Sequence, residues 1–136
     1  MKSRLIYWLT YAGMWLLALL PFKVLYILSD GLCFLMHHVV HYRRRVVRAN
    51  LCNAFPEKSA AELRDIEREF YRYICDYMLE EVKMLRMSFK ELCRRMEYDN
   101  KEEYLAMIEK HGGIVLLIPH YANFEWITGM SSIMQE

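Results

Sequence analysis

The sequence of 136 residues predicts an α/β protein carried on an N-terminal membrane anchor. Three observations predict it. Residues 5–22 form an uncharged run of 18 residues, about the minimum length for a membrane-crossing helix. The middle of the chain carries capping signals, each opening a stretch whose apolar residues recur at helical spacing. Residues 114–118 read Ile-Val-Leu-Leu-Ile between Gly112–Gly113 and Pro119, a short continuous apolar run that fits a first strand buried on both faces.

Composition narrows the function classes. Hydrophobic residues make up 55% and charged residues 26%, with 5 Gly and 3 Pro, which excludes a disordered or low-complexity chain. A formal net charge of +1 argues against a nucleic-acid partner bound through bulk positive charge. The distribution says more than the total. Residues 1–50 carry seven Lys and Arg against Asp30, whereas residues 51–136 carry 11 bases against 16 acids. A segment both basic and apolar reads as facing a membrane. The four cysteines, at 33, 52, 75 and 93, form no C-x-x-C and stand at no zinc-site spacing from a histidine. They read as reduced thiols in apolar surroundings, and no metal site is expected.

Taken in order, residues 1–22 are expected to be a transmembrane anchor. Lys2 and Arg4 precede the run, Tyr7, Trp8, Tyr11 and Trp15 suit headgroup depth, and no small-x-small cleavage site follows. Residues 23–48 form a second, basic-amphipathic segment. It could cross the membrane, lie in its plane or pack on the protein. Asp30 and the pair His37, His38 make an interfacial placement preferable, since a lipid-exposed charge costs about 2.5–3.5 kcal/mol. Arg43, Arg44, Arg45 and Arg48 close this segment. Beside an apolar stretch they could contact anionic headgroups, at about 1 kcal/mol each, or act as a positive-inside topology signal. Both readings place them on the cytoplasmic side.

Residues 49–136 are expected to form the start of a globular domain. Phe55-Pro56-Glu57 marks a turn, and Ser59 with Glu62 forms a capping box. Leu63, Ile66, Phe70, Ile74, Met78, Val82 and Leu85 then recur every three or four residues, which predicts one helix of about seven turns with that stripe in the core. Ser88 with Glu91 and Asn100 with Glu103 repeat the capping pattern, and Gly112–Gly113 supply a stop.

The residues that carry chemistry follow the expected strand. His120 stands just after it, where ligands bind in open α/β sheets, and Glu125 lies five residues on. A neutral imidazole can take a proton from a hydroxyl, and a carboxylate can fix its tautomer and steady the imidazolium that forms. The sequence holds no G-x-S-x-G elbow and no H-E-x-x-H, so the attacking hydroxyl is expected to belong to a substrate. From spacing alone, His120 could equally be an incidental histidine at a strand end. His37, His38, His41 and His111 lie beside no comparable carboxylate and read as interfacial or exposed.

These residues resemble those of the late lipid A acyltransferases, the lauroyl/myristoyl acyltransferase family of Gram-negative bacteria. The resemblance covers the whole chain. It rests on the anchor, on Tyr42-Arg43-Arg44-Arg45-Val46-Val47, on Asn50-Leu51 leading to Ala54-Phe55-Pro56-Glu57, on Phe70, Glu80, Glu81 and Lys83, and on His120-x-x-Asn123-x-Glu125 after the apolar run. Ala122 stands where the family usually has Gly, and Phe124 where it often has Trp. The resemblance implies an α/β acyltransferase fold like that of glycerol-phosphate acyltransferases. It implies transfer of a fatty acyl chain from acyl carrier protein to a hydroxyl of a lipid A precursor, at the cytoplasmic face of the inner membrane. By the same likeness His120 is the general base, Glu125 supports it and Asn123 shapes the site. No cofactor is implied, because a thioester donor is already activated; the partners implied are acyl carrier protein, the lipid A precursor and membrane lipid, with no nucleic acid. Members of the family are about twice this length, so residues 49–136 are expected to be the N-terminal part of the domain, and an isolated chain of this length is expected to be poorly active. An acyltransferase acting on another glycolipid or aminolipid, a non-catalytic membrane-anchored helical module, and a surface protein acting through its arginines alone are the alternatives.

Overall fold

The computed structural model describes residues 2–129. Six α-helices run in chain order: α1 Lys2–Leu19, α2 Phe22–Phe34, α3 Arg44–Ala54, α4 Ala60–Met84, α5 Phe89–Arg95 and α6 Lys101–His111. A single π turn, Leu35–Val39, continues α2, and a 3₁₀ segment, Phe124–Gly129, ends the described chain.

The expected α/β fold is not what forms. Among the described residues there is no strand, and the architecture is all-helical. Residues 114–118 have no regular structure, and Val115 and Leu117 are each 90% exposed. The physical reason is pairing. An apolar run becomes a strand only when a neighbouring strand takes up its backbone N–H and C=O groups. No other described segment is extended alongside this one, so the apolarity of the run has no sheet to enter.

The break between α1 and α2 follows from Pro21. Proline lacks an N–H and drives the preceding residue out of helical conformation, so α1 stops at Leu19 and Pro21 becomes the extended N-cap of α2. The uncharged run 5–22 is therefore split between two helices. Among the described residues, one helical stretch is long and apolar enough to cross a membrane, Phe22–Val39, with a mean hydropathy of 1.2.

Helix α4 organises the rest. Its N-terminus carries the predicted capping box in full: Ser59 Oγ accepts from Glu62 N–H, and the Glu62 carboxylate accepts from Ser59 N–H at 2.8 Å. At α5 the Ser88 hydroxyl accepts from Glu91 N–H, but the Glu91 carboxylate turns to Arg94 and Arg95. Asn100 makes no side-chain cap, whereas Gly112 ends α6 in the left-handed conformation at φ 73°. That φ is open to glycine at no steric cost.

Packing of α4 departs from the stripe read off its sequence. The buried column is Glu67, Tyr71 and Cys75, spaced four apart. Tyr71 donates to the Tyr42 carbonyl, and Cys75 Sγ lies 3.7 Å from Met36 Sδ. Phe70 and Met78 of the predicted stripe are exposed beside that column. Polar anchoring explains the offset: Glu67 and Tyr71 make hydrogen bonds to α3 and to the turn before it, which sets the rotation of α4. Further along, Lys83 Nζ donates to the Ala18 and Leu20 carbonyls at 2.8 and 2.7 Å. A cation on the free carbonyls at the end of α1 is favoured by the helix dipole. Lys83 so fastens the Pro21 break to α4, and Arg86 adds to it by lying 5.1 Å above the Trp15 ring.

Candidate active site

The segment carrying His120 leaves the extended run through a tight turn. Tyr121 N–H bonds the Pro119 carbonyl at 2.9 Å, and Ala122 takes the left-handed conformation at φ 51°. The Asn123 carbonyl then accepts from Trp126 N–H at 3.1 Å, which starts the 3₁₀ segment. Trp126, 6% exposed, is the apolar plug of this segment.

Three side chains of α2 and α4 receive it. The Asn123 amide donates to Glu80 Oε2, and Glu80 Oε1 accepts from the Tyr26 hydroxyl at 2.6 Å. The Tyr77 hydroxyl donates to the Glu125 carboxylate, which pushes the Tyr77 phenol up to about 12. Glu81 lies nearby. Burial raises its pKa, and the charges of Glu125 and Glu80 raise it further. Tyr73 is raised chiefly by burial, with Glu80, Tyr121 and Glu125 acting in the same direction.

His120 and Glu125 occupy the same turn of chain but face different neighbours. The imidazole packs on the Phe124 ring, with centroids 4.3 Å apart, and the Glu125 carboxylate meets Tyr77. His120 borders a hollow of about 280 Å³ together with Tyr73, Tyr121 and Ala122. Asn123, next along the chain, is held on Glu80. An open imidazole beside a concave surface, on a segment fastened to a long helix, can take a proton from a bound hydroxyl. Among the described residues, no group of three or more His, Cys, Asp or Glu side chains is placed to hold a metal.

The four arginines separate into two pairs. Arg44 and Arg48, one turn apart on α3, face inward, and their Nε atoms lie 2.6 and 2.7 Å from the two oxygens of Glu67. Glu67 is 2% exposed, and His37 Nε2 is 3.3 Å from its Oε1. Burial alone would raise the Glu67 carboxyl, but hydrogen bonds and charges from Arg48 and Arg44 outweigh it and hold the group below its ordinary range. Arg43 and Arg45 remain on the outside, with Arg43 at φ 51° as the N-cap of α3.

Sequence reasoning missed Glu67, Tyr77 and Tyr26 as partners. Arg44 and Arg48 at i, i+4 were the available signal for a buried acid facing α3. Glu80 was visible as part of the family likeness, without its role in holding Asn123.

Comparison with known proteins bears on this geometry. The family model described as "Bacterial lipid A biosynthesis acyltransferase" matches residues 1–133. The "Lipid A biosynthesis lauroyltransferase" of Escherichia coli (strain K12) is 28% identical over 122 residues, covering 88% of this chain. The chain spans 40% of that relative's length. No solved structure matches the chain.

Proposed function

This chain belongs to the bacterial lipid A biosynthesis acyltransferase family, and from that premise we propose that it carries the proton-accepting part of an O-acyltransferase. The reaction moves a fatty acyl chain from acyl carrier protein to a hydroxyl of a lipid A precursor. The family match over residues 1–133 carries this reading, because that span contains the His120, Asn123 and Glu125 segment.

In the proposed step, His120 accepts the proton of the acceptor hydroxyl. The oxygen attacks the thioester carbonyl, and a carbon–oxygen bond forms. The carbon–sulfur bond then breaks, and the imidazolium returns its proton to the departing thiolate. Glu125 supports the imidazolium electrostatically while Tyr77 holds its carboxylate on α4. Asn123 keeps the turn seated through Glu80. Lipid A precursors are membrane amphiphiles, so the site works at the cytoplasmic face of the inner membrane. Phe22–Val39 is the anchoring stretch, and the arginines of residues 43–48 meet the lipid surface.

The test uses membranes containing the gene product as its own cell makes it. Acyl transfer from an acyl carrier protein thioester to a lipid A precursor is measured for the native protein and for His120→Ala. A fall of about 10²–10⁴-fold is expected for loss of a general base. Unchanged transfer in His120→Ala would contradict the assignment.

A further inference from the structure

Two hollows apart from the one at His120 share a wall. The larger, about 700 Å³, is apolar, and its lining includes Met36, Val40, Val47, Phe70, Ile74 and Met78. The smaller, about 540 Å³, is cationic, bordered by His41, Arg43, Arg44, Arg45 and Arg48. Arg43 and Val46 line both. Neither hollow shares a residue with the one at His120.

The electrostatics of the cationic hollow are one-sided. Four arginines border it, and the carboxylate paired with them is Glu67, held by Arg44 and Arg48, which leaves a surplus of three positive charges. Helix α3 has no acidic residue in its first turn and no side-chain cap, so its N-terminal amides add to the positive potential. The apolar hollow begins at the end of the stretch long enough to cross a membrane: Met36 belongs to its last turn, and Val40 follows it directly. Apolar residues along it stay open, with Met78 49% exposed. An apolar trough that opens onto surplus cations at membrane-surface depth is complementary to a molecule with a hydrocarbon chain and an anionic head.

We propose that this paired hollow holds one anionic glycerophospholipid of the surrounding leaflet, with an acyl chain along Val47, Ile74 and Met78 and the phosphate against Arg43 and Arg45. Arg44 and Arg48 are oriented by Glu67 and contribute charge from behind. The site deepens the membrane-surface role given above to the arginines, and it is separate from acyl transfer.

The experiment is native mass spectrometry of the full chain in non-ionic detergent, with added phosphatidylglycerol or phosphatidylcholine bearing the same acyl chains. One retained phosphatidylglycerol per chain is expected, at about tenfold or more over phosphatidylcholine, as the surplus charge implies. Met78→Glu, at a half-exposed position that does not disturb the buried column, and the double variant Arg43→Gln/Arg45→Gln should each bring phosphatidylglycerol down to the phosphatidylcholine level. Met78→Leu should retain it, and far-UV circular dichroism checks that each variant keeps its helix content. Equal retention of the two lipids overturns both the groove site and the membrane-surface role of the arginines. Loss in the arginine variant but not in Met78→Glu, or complete displacement by inorganic phosphate, overturns the groove site and leaves an anion patch on the surface.

Discussion

Glu67 and Glu81 are carboxyls on one helix, and the fold treats them in opposite ways. Glu67 is buried against two guanidiniums and held below its ordinary pKa range. Glu81 has other carboxylates, Glu125 and Glu80, as its charged neighbours and is held above that range. The first arrangement joins α3 and the end of the apolar Phe22–Val39 stretch to α4 and satisfies the charges it buries. The second sets acid beside acid where the His120 segment docks. Crowded like charges lower stability, and a raised carboxyl among other carboxylates marks a candidate functional site. The contrast therefore separates a part of the molecule that holds it together from the part proposed to carry its chemistry.

Breaking the Glu67 side should give the largest effect on stability. Glu67→Ala leaves two arginines facing each other without their acid, one of them partly buried. A loss of about 3 kcal/mol is expected at neutral pH, less than for a fully buried pair because Arg48 is half exposed. The midpoint of urea unfolding in detergent measures it. The same centre sets a pH dependence. Its folded pKa is depressed, so its stabilisation is complete above the unfolded value of about 4.3 and is lost as pH falls through the lower folded value. Glu67→Gln should flatten the unfolding midpoint across that acidic window. An equally steep acid decline in Glu67→Gln would place the effect elsewhere.

Ala122 offers a smaller effect on the other side of the comparison. Its φ of 51° is strained for a residue with a Cβ. Ala122→Gly should relieve about 1 kcal/mol, raising the unfolding midpoint if the turn unfolds with the rest. Glu81→Gln should move stability least and in the direction opposite to Glu67→Ala. A raised folded pKa makes ionised Glu81 destabilising above about 4.3, with the full effect reached once pH exceeds the folded value. A gain of about 0.5 kcal/mol at neutral pH is expected on removing the charge. A loss of stability instead would mean that Glu81 is a structural group like Glu67.

How much of this was legible depends on the range of the interaction. Local signals survived: the Ser59–Glu62 box, the length of α4 and the Gly112 stop are set by residues within a turn of each other. The chain family was legible from motif order, and the comparison with the family model agrees. The strand was misread because apolarity at 114–118 states what the run would bury, while only a pairing partner makes it a strand. The core face of α4 was misread by one position because its rotation follows Glu67 and Tyr71, whose partners lie on α3 and the turn before it. At the candidate site, His120, Asn123 and Glu125 were picked from spacing and resemblance, but Glu80 and Tyr77 come from 43 and 48 residues away along the chain. No local pattern links them.

His120 is proposed to take the proton in acyl transfer to a lipid A precursor. The most direct measurement is the mass spectrum of lipid A from the native cell carrying His120→Ala, with the protein level checked by immunoblot against the α4 sequence. Normal protein and lipid A lighter by one fatty acyl chain are expected. Unchanged lipid A, in a cell where deleting the gene does remove that chain, would contradict it.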